Sequence, residues 1–251
     1  MSLGLEGLSF AQLALIAATA LVTSLIGGVA GYGTGALMPL VLLPIVGAEP
    51  IVPIISLSAL LTNTGRAAAF RHLVDRRTAL VVLASAVPTC ALGAWGYTKL
   101  SSRGVLVVIG CMLVASVPLR RLVRRRGLAL SRRGLALAAF GWGPLAGGTV
   151  GAGIILLSLL MATGLEGAAV VATDAVISIG IGFAKLATFG IAGIVTPQVI
   201  AVALLIGGLA FPGAFVAKAL VERLPVHLHA AVLDAVVVGG GAVMVINAFA
   251  S

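Results

Sequence analysis

The chain has 251 residues, of which 61% are hydrophobic and only 9% are charged, and its mean hydropathy is +1.22. Soluble domains carry about 25% charged residues, so this composition excludes a soluble globular protein and predicts an all-α polytopic membrane protein. The net charge of +9 does not indicate a nucleic-acid partner, because the cations cluster between apolar segments, as they do in cytoplasmic loops.

The first apolar stretch is too long for a single membrane span. Residues 7–48 carry no charge over 42 positions, which is about 63 Å of helix against a hydrocarbon thickness of ~30 Å. We therefore predict a pair of helical segments separated by a break at the glycines of residues 27–35. Irregular backbone at membrane depth must line an enclosed cavity, so this break predicts a functional site.

The segments that follow repeat this order after a basic linker at residues 120–133. Residues 134–165 are uncharged over 32 positions, about 48 Å as helix, which is long for one span and short for two. At least one arm of this second pair should therefore end inside the bilayer. The remaining segments are predicted at 51–70, 79–98, 104–119, 167–190, 191–217 and 230–250.

The two glycine-broken stretches are similar in sequence. GGVAGYGTGALMPLVLLPIVGAE at 27–49 matches GGTVGAGIILLSLLMATGLE at 147–166 after one deletion. Glu49 and Glu166 then occupy matched positions, where we interpret them as charges at the starts of helices. The match predicts a single transmembrane domain of two repeats, 1–124 and 125–251, each of about five helical segments and each opened by a glycine-broken pair.

An odd number of segments in each repeat places the second repeat in the opposite orientation to the first. Thirteen of the sixteen cations then lie on one side of the membrane, in 66–77, 120–133 and 218–223. This distribution fits the positive-inside rule with both termini outside. Counting each pair as one span gives eight segments and a weaker charge asymmetry, because Lys218 and Arg223 change sides.

The glycines of the two breaks are the first candidates for substrate binding. A helix that starts just after a break directs unpaired N–H groups and the positive end of its dipole towards the break, where they can bind an anion. The alternative is that the glycines only permit close helix packing. The residues concerned are Gly31, Gly33, Gly35, Gly151 and Gly153.

Four polar residues lie in the segments that follow the breaks. Arg66 and Lys185 are costly at membrane depth and could attract the anion, although Arg66 could instead snorkel to the cytoplasmic interface. Asp174 is either a proton-linked carboxylate or a helix cap. Asn63 either lines the path or forms an interhelical hydrogen bond.

The remaining reactive residues predict neither a metal site nor a cofactor. Cys90 and Cys111 lie in apolar segments and are expected to be small buried hydrophobes. His72, His227 and His229 are expected in short connections, and the acids are scattered. An intramembrane enzyme needs catalytic groups clustered at membrane depth, so we predict that the chain is not an enzyme.

The repeated pattern resembles the TauE/SafE sulfite exporter family of bacterial membrane transporters. The resemblance rests on the glycine-rich break, the short apolar helix with Pro39, the Gly47-Ala48-Glu49 turn and the polar segment that ends FRHLVDRRTALVVLA. A second-half stretch, LATFGIAGIVTPQVIAVALLIGGLAFPGAFVAKALVERLPVHL, is similar to the closing hairpin of the family. Tyr32 and Thr34 interrupt the break where the family commonly has a glycine run.

The resemblance implies export of a small sulfur-containing anion, such as sulfite, sulfoacetate or a related organosulfonate, across the bacterial inner membrane. We expect a secondary transporter that works by alternating access, with proton coupling through Asp174 left open. The alternatives are an uncoupled, channel-like anion facilitator and, more remotely, an intramembrane enzyme. The expected partners are the anion and the lipid bilayer, with a homodimer left open.

Overall fold

The computed structural model describes residues 5, 7–30, 34–125, 129–212 and 226–250, and within them the side chains of 25–30, 36, 120–125, 226–236 and 250 are not described. The described residues form α-helices, turns and connections, with no strand among them. The helices are α1 (Phe10–Ala30), α2 (Thr34–Val46), α3 (Ile51–Ala69), α4 (Arg76–Tyr97), α5 (Ser102–Arg125), α6 (Arg132–Gly148), α7 (Gly153–Met161), α8 (Ala168–Ile191), α9 (Pro197–Ala210) and α10 (Val226–Ala250).

Side-chain caps fix the starts of several helices, among them α4, α6 and α9. The Asp75 carboxylate accepts hydrogen bonds from the backbone N–H groups of residues 77 and 78 at the start of α4. Ser131 caps α6 in the same way, and Thr196 caps α9 just before a proline at the first helical position. These residue types satisfy N–H groups that a helix start leaves unpaired, so each cap favours a helix that begins at the residue after it.

Each of the two long uncharged stretches is divided into a pair of helices, as predicted. Helix α2 has 13 residues and α7 has 9, so they extend only about 20 Å and 14 Å and are shorter than the ~30 Å hydrocarbon layer. By length and composition, three described helices are able to cross a membrane, namely Arg76–Tyr97, Ser102–Leu119 and Ala168–Ile191. A glycine with positive φ, Gly47 or Gly164, lies in the turn between each short helix and the next long helix.

The two halves use equivalent helix contacts when α1–α5 are matched in order with α6–α10. Helix α4 packs against α6 and α8, and its match α9 packs against α1 and α3. Helix α5 contacts α7, and its match α10 contacts α2. Matched helices also pack on each other, α3 on α8 and α5 on α10. Exchanging the halves thus preserves these contacts, as a two-fold relation would require.

The tightest of these contacts joins α4 to α6 through glycines. A Cβ atom added to Gly143 would lie 2.6 Å from the carbonyl oxygen of Ala86, and one added to Gly147 would lie 2.0 Å from that of Cys90. Only glycine permits so close an approach of two backbones. Cys90 is buried at this contact, as expected, but the prediction for Cys111 was wrong, because its side chain is exposed on a helix whose apolar outer face is suited to lipid.

Candidate functional site

A cavity of about 170 Å³ lies where the two breaks meet. Residues of seven helices, α1, α2, α3, α6, α7, α8 and α9, contribute to its wall, and both breaks reach it. Seven of the nine candidate residues line this cavity, namely Gly35, Asn63, Arg66, Gly151, Gly153, Asp174 and Lys185. The other two, Gly31 and Gly33, lie outside the described residues. Residues more than 100 positions apart in the sequence therefore surround one space.

The two breaks approach each other through their backbones. A Cβ atom added to Gly35 would lie 3.7 Å from the backbone nitrogen of Gly151. Gly151 has a φ of +82°, a conformation that side-chain-bearing residues avoid, so glycine is needed there by the backbone itself. Gly153 differs, because a Cβ atom added there would meet no described atom within 4 Å. Its glycine leaves room at the start of α7.

Lys185 binds the end of the helix that precedes the second break. Its buried side chain donates hydrogen bonds to the carbonyl oxygens of Ala146, at 2.9 Å, and Thr149, at 3.1 Å. The last carbonyls of a helix have no partner within the helix and carry its negative dipole. An ammonium ion is favoured at this position. Lys185 therefore holds α8 to the break and places a positive charge in the cavity wall.

Arg66 and Asp174 form an ion pair across the contact between α3 and α8. Arg66 Nη1 lies 3.8 Å from Asp174 Oδ2, with the two side chains 14% and 3% exposed. Arg66 also donates a hydrogen bond to the side-chain oxygen of the buried Asn63. The guanidinium therefore turns inwards, and the alternative in which Arg66 snorkels to the interface does not describe this structure. Asn63 accepts this bond within its own helix, and no interhelical hydrogen bond of its side chain occurs among the residues that the structure describes.

Asp174 does not cap a helix. It lies seven positions into α8, and the residue at the helix start is Gly167. Its Oδ2 atom faces Arg66, whereas Oδ1 is buried with no hydrogen-bond partner among the described residues. Buried carboxylate oxygens are normally bonded, so an unpartnered one beside a cavity indicates a group that a ligand or a proton can satisfy.

Several cavity residues were not identified from the sequence. The buried Trp142 of α6 donates its indole N–H to the carbonyl oxygen of Ala152 at 2.9 Å and so, like Lys185, binds a backbone carbonyl of the second break. Ser56, Thr149 and Ser178 add polar groups to the wall. Trp142 lies five residues before the glycine pair of the break, and this spacing was its only signal in the sequence.

Other ionisable groups lie away from the cavity or outside the described side chains. Glu49 and Glu166 are exposed residues just before α3 and α8, in agreement with their interpretation as helix-start charges. His72 lies in a short turn, but the expectation of loops for His227 and His229 was wrong, since both belong to the start of α10. No group of three potential metal ligands occurs among the residues described.

Comparison with known proteins places the chain in a family. A family model described as sulfite exporter TauE/SafE matches residues 16–244. No curated protein and no solved structure matches the chain. The family is one of membrane transporters, which agrees with the apolar helices and with a cavity whose wall contains both cationic side chains and broken helices. Because the match covers nearly its whole length, the chain belongs to the TauE/SafE sulfite exporter family.

Proposed function

We propose that the protein is a secondary transporter that exports a small sulfur oxyanion, such as sulfite, sulfoacetate or a related organosulfonate, across the cytoplasmic membrane. The observation that supports this function is the cavity between the two breaks, which has Arg66 and Lys185 in its wall. Two cations at membrane depth are costly unless they serve an anionic partner. A volume of about 170 Å³ suits a small oxyanion rather than a lipid or a peptide.

The proposed binding mode combines side chains with helix ends. An ammonium has three N–H donors, and the described residues accept two of those of Lys185, which leaves the third for an anion. Helices α2 and α7 begin beside the cavity at Thr34 and Gly153. In α7 the N–H groups of Ile154 and Ile155 already donate to the carbonyls of Gly151 and Ala152, so the further donors would come from the first turn of α2 and from the N–H of Gly153. Asn63 would orient Arg66 towards the oxyanion.

Alternating access would follow from two inverted repeats, 1–124 and 125–251, in one transmembrane domain. The equivalent contacts of α1–α5 and α6–α10 support a two-fold relation between the repeats. In such transporters one repeat rocks against the other around a central site. The cation distribution along the sequence supports opposite orientations in a bacterial inner membrane. Self-association into a homodimer stays a prediction.

Asp174 supports a coupled transporter over the uncoupled facilitator. A facilitator needs no buried carboxylate, and this one opposes anion binding at Arg66 while it is ionised. A carboxylate that pairs with Arg66 in the empty state and is protonated when the anion binds would link the two ligands.

Flux in proteoliposomes tests the proposed function. Purified protein should release trapped sulfite faster than protein-free vesicles, and trapped glucose at the same rate as those vesicles. An inward or outward pH gradient at a fixed charge state of the substrate should change the rate in a coupled transporter. A rate independent of the gradient would favour the facilitator, and no release of sulfite or organosulfonates would contradict the proposal.

A further inference from the structure

The net charge of the cavity wall limits the charge of the anion that can bind and the number of protons that bind with it. Among the described residues that line the cavity, the ionisable side chains are Arg66, Asp174 and Lys185. With all three ionised, the wall has a net charge of one positive unit. An uncompensated charge inside a membrane protein is strongly disfavoured, so the occupied site is most stable when its contents cancel this single charge.

Arg66 and Lys185 differ in whether a negative charge already opposes them. Arg66 is already opposed by Asp174. Lys185 touches only carbonyl dipoles among its described partners, so it carries the uncancelled positive charge. A monovalent anion that binds at Lys185 cancels it and leaves the ion pair of Arg66 intact.

An anion with two charges would require a change at Asp174. Its second negative charge must be met by Arg66, whose guanidinium then exchanges Asp174 for the anion. The displaced carboxylate is buried, and its Oδ1 has no hydrogen-bond partner among the described residues. Such a group is costly as an anion and far less so as a neutral acid. One proton taken up from the side of loading restores neutrality.

Among the described residues around α8, few other charged groups could take up the proton in place of Asp174. The elements that pack against α8 are α3, α4, α6, α7 and the turn at 71–73, and of these α3 places Arg66 against Asp174. The Asp75 carboxylate bonds to Thr78, and Cys90 is a buried thiol on α4. The cations on these elements other than Arg66 are exposed, namely Arg71, His72, Arg76, Arg77, Arg132 and Arg133.

We propose that the site moves one net negative charge in each transport step, so that a monovalent sulfonate crosses alone and a divalent sulfonate crosses with one proton on Asp174. The proton leaves on the far side when the anion dissociates and Arg66 pairs with Asp174 again. This inference rests on the proposed function and adds the rule that fixes proton stoichiometry from substrate charge.

Proton counting with two sulfonates tests the rule. Methanesulfonate carries one charge at neutral pH and sulfoacetate carries two. Proteoliposomes with a trapped pH dye, and with the membrane potential held by potassium and valinomycin, report protons moved per anion. The wild type should move about one proton with each sulfoacetate and none with methanesulfonate. An equal proton count for the two anions, or exclusion of sulfoacetate, would overturn the rule.

Two variants identify the proton carrier. Asp174→Asn should still carry sulfoacetate but without a proton, because the wall then has two positive charges. Glu166→Gln makes the same acid-to-amide change on an exposed residue just before α8 and should keep the wild-type count. Proton movement that persists in Asp174→Asn would overturn the assignment to Asp174.

If that variant does not fold, the comparison of the two anions in the wild type still decides the rule. Absence of flux for both sulfonates and for sulfite would contradict the proposed function itself.

Discussion

At the scale of single residues, the second break depends on one glycine more than on its neighbour. Gly151 has a positive φ, and a Cβ atom there would lie 3.0 Å from the end of the Leu113 side chain. Gly153 has neither constraint and begins a helix, where alanine is the better former. The two glycines of the second break therefore differ in whether the backbone tolerates a side chain at their position.

Alanine substitutions separate the two glycines. Gly151→Ala should lower the free energy of unfolding by about 1–2 kcal/mol, because the backbone must hold a left-handed conformation. Gly153→Ala should leave it unchanged or slightly raised. Thermal unfolding of the two purified variants in the same detergent measures the difference, and equal melting temperatures would mean that the φ of Gly151 is not what the break requires.

The ion pair between Arg66 and Asp174 gives a second prediction at this scale. Arg66→Met leaves a buried carboxylate unpaired, which costs about 3–5 kcal/mol. Adding Asp174→Asn removes that charge. The double variant should therefore recover much of the free energy of unfolding that Arg66→Met loses. A double-mutant cycle of unfolding free energies measures the coupling. Additive effects of the two substitutions would show that the pair contributes nothing as a pair.

At the scale of elements, the start of α4 is stabilised by a charged cap. Asp75 accepts hydrogen bonds from the Thr78 hydroxyl and from two backbone N–H groups. The pKa of Asp75 lies below its usual value. The bond from the Thr78 hydroxyl is the largest cause, and the two backbone bonds lower the pKa further. A carboxyl group whose pKa falls on folding contributes stability above its unfolded pKa and loses it as the pH drops through the folded one.

Asp75→Ala should therefore destabilise the protein by about 1 kcal/mol at neutral pH. The gap between wild type and variant should narrow as the pH is lowered below the folded pKa of Asp75. Ser131→Ala removes the uncharged cap of α6 and is the matched control, since its effect should not depend on pH. The melting temperatures of the three proteins across an acid series measure this, and a constant gap for Asp75→Ala would contradict the ionic contribution.

The sequence predicted the helices better than it predicted which side chains contact each other. Uncharged lengths and glycine positions located the broken pairs, because a helix of fixed rise must fit a bilayer of fixed thickness. The same arithmetic could not pair Arg66 with Asp174, which are 108 positions apart, since no local pattern links a side chain to a distant helix. It also missed the bonds of Lys185, whose acceptors are backbone carbonyls and have no residue signature.

At the scale of the whole molecule, the cavity joins features that are separate along the chain. The first break, the second break and the charged residues of α3 and α8 converge on it, and the matched contacts of the two halves surround it. The long helix α8 takes part twice, through Asp174 towards α3 and through Lys185 towards α6. This arrangement makes α8 the element whose movement would affect the anion, the ion pair and the second break together.

Efflux of sulfite from proteoliposomes tests most directly whether the charge of Lys185 serves an anion in this cavity. Loss of a charged hydrogen bond is worth about 1.5–3 kcal/mol, so Lys185→Met should slow efflux at least about tenfold, and Lys185→Arg should restore part of it. Lys99→Met, which alters a lysine beside the exposed Trp95 and outside the cavity, should match the wild type. Efflux by folded Lys185→Met at the rate of Lys99→Met would contradict the account.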